Sequence, residues 1–369
     1  MVAGEHSGDL LGAAVIRAIK QRYPDCLIEG IGGDAMIAEG CDSWWPMERL
    51  AVMGLIDPLK RLPELLRIRK TLKQRWLSNP PDVFLGIDAP DFNLSLEIAL
   101  KQAAVPTMHL VSPTVWAWRS GRVNTVEQAC DDLLCLFPFE PACYEGRSVR
   151  AHFVGHPMVD ALHELPAADS IERQLGLSGE RPLLALLPGS RRQEIERLLP
   201  IYLEACRSFQ EQFRLVIPAS NAANKAIIEQ IALAAKIPVM VIDGHSRELL
   251  KVAHFGIVTS GTATLEAALL GCPMVIAYRM STLSWALMKH LIRTPYAGLP
   301  NILAGQMIVP ELIQSDLTVQ SLADALATHS REDARQAQQA AFVALEQQLG
   351  ANFGERCASV ITERLEQAL

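Results

Sequence analysis

A chain of 369 residues exceeds one ordinary hydrophobic core and suits two domains of about 150–200 residues each. Half of its residues are hydrophobic and 20% are charged, which excludes a disordered chain, and a net charge of −7 argues against a general nucleic-acid binder. No apolar run approaches the ~18 residues of a spanning helix.

From the amino terminus, the turn Gly4–Asp9 follows only Met1–Ala3, where a full strand is expected, so a longer amino terminus is anticipated. Glu5, His6 and Asp9 stand where an export signal needs a basic and then an apolar segment. Strands are expected near 27–31, 83–87, 106–111, 132–136 and 151–154, with helices near 8–21, 63–77, 92–103 and 120–130. After a Pro/Ala/Asp-containing stretch the alternation resumes. Strands are expected near 183–187, 213–217, 238–242, 254–258 and 273–277, with helices near 191–210, 222–235, 246–252 and 262–270. From 318 onward only helix is expected. This is the α/β pattern of two successive parallel-sheet domains, 1–160 and 161–345, with 346–369 returning to the first domain or to a partner. Such sheets bind ligands beyond the carboxyl ends of their strands, here facing an expected inter-domain cleft.

Two strand–turn–helix junctions suit an anion. Leu183–Arg191 ends in Gly189, Ser190 and Arg191, where a close-approaching backbone, free helix N–H groups and a guanidinium can meet a diphosphate. Phe255–Glu266 repeats this at Ser260, Gly261 and Thr262. Glu266, one helical turn on, is placed to accept hydrogen bonds from ribose hydroxyls. The alternatives are plain helix caps and solvated side chains.

In the first half, Asp88 directly follows a strongly apolar strand and can serve as a general base, with Asp91 as a helix cap or a second cleft acid. His109 and the loop Ser112–Arg119 follow the next strand, and Trp116, Trp118 and Arg119 of that loop suggest a platform for a sugar or acyl chain, unless the tryptophans simply pack. Eight cysteines without C-x-x-C spacing read as free cytosolic thiols, and His152 and His156 lack a further ligand set for zinc. No Walker A or D-x-D motif occurs and no G-x-G-x-x-G follows the first strand, so neither metal nor cofactor is expected.

Between Lys60 and Arg75 seven basic residues face one acid, Glu64. Pro63 is expected to start a helix with Leu65, Ile68, Leu72 and Trp76 on one face beside Arg67, Lys70 and Lys73, a composition suited to an anionic membrane surface. On that reading Leu72→Asp with Trp76→Asp would reduce membrane association and spare the fold. The alternative is a helix packing on its own sheet. Arg279, Lys289, His290 and Arg293 around Trp285–Met288 form a second basic–apolar stretch.

Taken in order, Val2–Asp9, Leu50–Gly54, Gly86–Asn93, Val111–Arg119, Phe153–Met158, Leu187–Arg191, Ser260–Thr262 with Glu266, and Leu299–Gly305 closely resemble the lipid-A-disaccharide synthase family, glycosyltransferases of GT-B architecture. The resemblance implies transfer from UDP-2,3-diacylglucosamine to 2,3-diacylglucosamine 1-phosphate (lipid X), giving a β-1,6-linked disaccharide 1-phosphate and UDP. It implies Asp88 as base, Glu266 at the donor ribose, and Arg191 and Asn301 as residues important for activity on the donor side. Glu5, Ser7 and Asp9 would lie on the acceptor side. It further implies a homodimer with exchanged carboxyl-terminal segments, peripheral on the inner face of the cytoplasmic membrane. A UDP-N-acetylglucosamine 2-epimerase-like enzyme and a non-catalytic sugar-nucleotide binder are the alternatives.

Overall fold

The apolar runs of the first half become short buried strands, each followed by a helix, because parallel strands covered on both faces must be apolar throughout. In the computed structural model, which describes residues 1–50, 57–117, 121–282, 285–286 and 294–368, the chain divides into two units. One comprises Met1–Asp160 with Leu349–Leu369 and the other Ala161–Gln348.

The first unit holds a parallel sheet ordered β1 (Val2–Ala3), β4 (Phe84–Ile87), β5 (Thr107–Leu110), β6 (Asp132–Cys135) and β7 (Arg150–Phe153). A smaller pair, β2 (Ile28–Gly30) and β3 (Cys41–Ser43), joins it through a bridge from Val2 to Ile31. Strand order therefore reverses between β1 and β4. The covering helices are α1 (His6–Arg22), α2 (Asp34–Ala38), α3 (Asp57–Ser78), α4 (Pro90–Lys101) and α5 (Arg122–Ala129). The helix Phe353–Ala368 adds Phe353, Cys357, Ala358 and Ile361 to the same core.

The structure corrects the reading of α3. Pro63 lies inside the helix rather than at its start. Ile68, Leu72 and Trp76 are buried in the unit's own core, and Trp76 packs on Trp44 and Phe84 at ring separations of 5.3 and 5.1 Å. Burying each such side chain stabilises the unit by about 1.5–3 kcal/mol, so the sheet takes this stripe in preference to a membrane. Leu65 is half-buried against it, while Arg67, Lys70 and Lys73 stay exposed. The exposed leucines are others: Leu62, Leu66 and Leu77. Of the second basic stretch, 287–293 lie outside the described residues. Among the described residues no helix is long and apolar enough to cross a membrane.

The second unit begins with α6 (Pro157–His163), which straddles the division, and α7 (Ala168–Gln174). Its parallel sheet is ordered β10 (Met240–Asp243), β9 (Arg214–Ala219), β8 (Leu183–Leu187), β11 (Phe255–Val258), β12 (Met274–Tyr278) and β13 (Glu311–Ile313). The reversal falls between β8 and β11. Helices α8 (Arg192–Ala205), α9 (Ala222–Ala235), α10 (Ser246–Val252) and α11 (Thr262–Leu269) follow β8 to β11 in turn. Tyr202 of α8 is fully buried and donates to Ala277 O at 2.7 Å, with Thr259 Oγ1 at 3.0 Å, fixing the strand ends beneath the reversal.

Candidate active site

Each unit carries a pocket where its strand order reverses, the position at which adjacent loops part and leave a crevice. In the second unit a cavity of about 480 Å³ is lined by Gly189, Ser190, Arg191, Ser260, Gly261 and Thr262, all expected from the sequence. Pro218, Ala219, Ser220, Gly244, Ser246 and Thr259 also line it. Gly189 has φ +102°, and a Cβ there would lie 2.5 Å from Glu194 Oε2, so only glycine fits without strain. The amino ends of α8 and α11 open into the space, with free N–H groups and the positive ends of their dipoles suited to phosphate.

The Arg191 guanidinium is exposed and donates to Glu194 Oε1 at 3.0 Å, and Glu194 also accepts from the Arg191 N–H. Ser190 is fixed by its carbonyl, which accepts from Asn224 Nδ2 at 2.8 Å. That buried asparagine also donates to Ser220 Oγ, tying two pocket loops together. Sequence reasoning missed Asn224, Ser220, Gly244 and Ser246; the run Ala219–Asn224 after an apolar strand was the available signal.

Two further donor-side residues lie outside the lining of this cavity. Asn301 is fully buried, with both amide hydrogens given to Val309 O and Glu311 Oε1 and its oxygen accepting from Ile308 and Val309 N–H. It has no hydrogen-bonding capacity left for a ligand. Its link to the cavity is indirect: Glu311 accepts from the Ala297 and Gly298 N–H groups, and Ser260 Oγ donates to Ala297 O. Glu266 does not line the cavity and is ion-paired with Arg247 at 2.8 Å.

In the first unit a pocket of about 470 Å³ is lined by Gly4, Glu5, Leu50, Leu62, Leu65, Leu66, Arg69, Asp88, Ala89, Pro90, Asp91 and Phe92. Asp88 and Ala89 have φ +49° and +44°, a left-handed turn that interrupts the run from β4 to α4. Its carbonyl is held by Asn93 Nδ2 at 2.9 Å and its N–H donates to Leu110 O at 2.8 Å. Burial pushes the Asp88 carboxyl above its ordinary range; His109 opposes this and Glu5 adds to it. A half-buried carboxylate made more basic and facing a leucine wall is suited to take a proton from an alcohol on an apolar molecule. Asp91 is exposed and ion-paired with Arg122, and caps nothing, since Ala89 holds the cap position of α4.

Other expected acceptor-side residues are used internally. Asp9 is buried and accepts from the Gly33, Ala35 and Met36 N–H groups, capping α2. Ser7 lies outside the pocket and donates to Glu5 Oε1 at 2.7 Å. His109 is fully buried on β5 against Glu97. Trp116 packs edge-on against Phe137 and Phe139 and donates to Glu140 Oε1 at 3.1 Å, so it is no sugar platform. Trp118 and Arg119 lie outside the described residues. His152 is held by Asp132 at 2.8 Å, and burial takes the His156 imidazole down to about 4. Among the described residues no three His, Cys, Asp or Glu side chains group as a metal site.

Comparison with known proteins bears on this pair of pockets. The family model described as lipid-A-disaccharide synthetase matches residues 1–362. A lipid-A-disaccharide synthase of Pseudomonas putida is 46% identical over 339 residues, covering 91% of this chain and 90% of the relative. One of Saccharophagus degradans is 46% identical over 372 residues, covering 99% and 96%. Among solved structures, the UDP-GlcNAc 2-epimerase of Neisseria meningitidis bound to UDP-GlcNAc superposes with a TM-score of 0.61 at 13% identity, covering 97% of this chain and 96% of that one. That likeness extends to the fold alone, the GT-B arrangement also found in a solved glycosyltransferase of Rickettsia africae. It does not favour the epimerase alternative. The match over almost the whole length decides the family: the chain belongs to the lipid-A-disaccharide synthases, glycosyltransferases of lipid A biosynthesis.

Proposed function

We propose that the chain joins UDP-2,3-diacylglucosamine to lipid X in one inverting displacement, with the acceptor on the first unit and the donor on the second. Asp88 takes the proton of the acceptor 6-hydroxyl as that oxygen bonds to the sugar C1. The C1–O bond to the diphosphate breaks, and its electron pair leaves with UDP. Charge grows on the leaving diphosphate, and donors fixed in advance stabilise it: the N–H groups around Ser190 and Gly261–Thr262 and the Arg191 guanidinium. Support for the donor side comes from the epimerase of the same fold, which was solved with UDP-GlcNAc. Glu266 is the proposed ribose partner, through the carboxylate oxygen that Arg247 does not engage.

One observation carries the acceptor side. Asp88 shares its pocket with the apolar side chains of Leu50, Leu62, Leu65, Leu66 and Phe92 and the charged ones of Glu5, Arg69 and Asp91, a mixture that suits a sugar carrying acyl chains. The membrane contact moves with it. Leu62 and Leu66, 48% and 45% exposed, replace the buried stripe as the lipid-facing side chains, beside Arg67, Lys70 and Lys73.

The test mixes the protein with UDP-2,3-diacylglucosamine and follows UDP. Release that requires lipid X is expected. Release without lipid X, or interconversion of the donor sugar, would remove the reading.

A further inference from the structure

Asp88 stands above a buried cluster of polar groups, several of them unpaired. His109 Nδ1 and Glu97 Oε1 lie 2.7 Å apart, and both side chains are fully buried. His109 Nε2, Glu97 Oε2 and Asn93 Oδ1 are buried without a hydrogen-bond partner. Unsatisfied buried polar atoms destabilise a fold, so three in one place need a purpose.

The backbone sets this cluster beneath the Asp88 turn. His109 on β5 is in register with Gly86 on β4, two residues before Asp88. A Cβ on Gly86 would lie 2.0 Å from Glu97 Oε1 and 3.0 Å from Asn93 Cβ, so the missing side chain is what admits the pair. Asn93 links the tiers by donating to the carbonyls of Val2 and Asp88 at 3.1 and 2.9 Å.

We propose that Glu97 and His109 are positioning residues for Asp88: with Asn93 they hold its turn, and the imidazole, anchored by Glu97, favours the carboxylate form that accepts the proton. Burial of an uncompensated negative charge is costly, so the proposal requires a hydrogen on Nε2, the ring edge that Glu97 leaves unpaired. The field of His109 at Asp88 has the matching sign, opposing the effect of burial. Among the described residues, the other ionisable groups lining the pocket with Asp88 are Glu5 from the turn after β1, Arg69 from α3, and Asp91 from α4, the last already paired with Arg122.

This inference rests on Asp88 as the base. The experiment compares lipid-X-dependent UDP release against pH for the unsubstituted chain, His109→Gln, and the double variant Glu97→Gln with His109→Gln. The double variant keeps a neutral hydrogen-bonded pair, so its melting temperature recovers towards that of the unsubstituted chain. Its acid limb in kcat/KM nevertheless stays about one pH unit higher, a roughly tenfold loss on the acid side, with the KM for the UDP-sugar unchanged. A limb that returns with stability would make the pair merely structural and overturn the proposal. Should neither variant fold, ¹⁵N signals of the His109 ring in the unsubstituted chain decide: a hydrogen-bearing Nε2 at neutral pH supports it, a bare Nε2 sinks it. Full turnover by Asp88→Asn would instead remove the base itself, a failure distinct from an unmoved limb.

Discussion

At the β8/β11 reversal the second unit gathers glycines, serines, threonines and the first turns of helices; at the β1/β4 reversal the first unit gathers leucines, a phenylalanine, the carboxylates of Glu5, Asp88 and Asp91, and Arg69. Both crevices come from the same topology. Their chemistry differs because short Gly/Ser loops leave backbone N–H groups facing the space in one, whereas α3 lays Leu62, Leu65 and Leu66 along the other. One parallel-sheet plan thus makes an anion cradle or an acid-bearing apolar pocket, according to what the chain adds at the reversal.

The sharpest way to break that division is Asp88→Asn. Loss of a general base is expected to lower kcat by about 100- to 10,000-fold. UDP affinity, read by titration calorimetry, should not change, because the cradle lies wholly in the other unit. A matching fall in UDP affinity would show that the two pockets do not divide the work. Next in size is a test of the inner stripe of α3. Leu72→Ala empties a fully buried site and should cost about 2–5 kcal/mol in denaturant unfolding. A near-neutral result would reopen the surface role that the sequence suggested for this side chain.

Most strands were legible because buried parallel strands read as unbroken apolar runs, and the strand-end rule led directly to Asp88, Gly189 and Ser260–Thr262. What the sequence hid was direction. Helix α3 carries a periodic apolar stripe at Leu65, Ile68, Leu72 and Trp76, and periodicity finds it without saying whether the sheet or another surface covers it. Asp9, His109 and Asn301 look like site residues because they are polar and sit near turns. Their side chains instead find partners inside their own unit: Asp9 in the turn into α2, His109 through Nδ1 in Glu97, and Asn301 in the residues leading into β13. Strands β2, β3 and β13 have only three residues each, so β3 and β13 gave no run long enough to notice.

Gly189→Ala probes the cradle at smaller cost. At φ +102°, with Glu194 Oε2 in the way, a methyl group strains the turn and turns the neighbouring N–H groups aside. UDP affinity should fall by about tenfold. Overall stability should fall by no more than about 1–3 kcal/mol, with Asp88 chemistry otherwise intact at saturating donor. Unchanged UDP binding would mean that the diphosphate does not use this loop.

The smallest effect is expected from Leu66→Ser, the outward counterpart of Leu72→Ala on the same helix. Leu66 is 45% exposed, so it has little burial to lose, and stability should stay within about 0.5 kcal/mol. Its remaining apolar surface faces the Asp88 pocket, where losing about 1 kcal/mol of alkyl contact corresponds to a several-fold rise in the KM for lipid X. UDP affinity and the rate at saturating acceptor should hold. The comparison that matters is between acceptors: a water-soluble analogue with shortened acyl chains should lose the difference between Leu66→Ser and the unsubstituted chain. If the two proteins still differed with that analogue, Leu66 would be shaping the Asp88 turn rather than meeting an acyl chain.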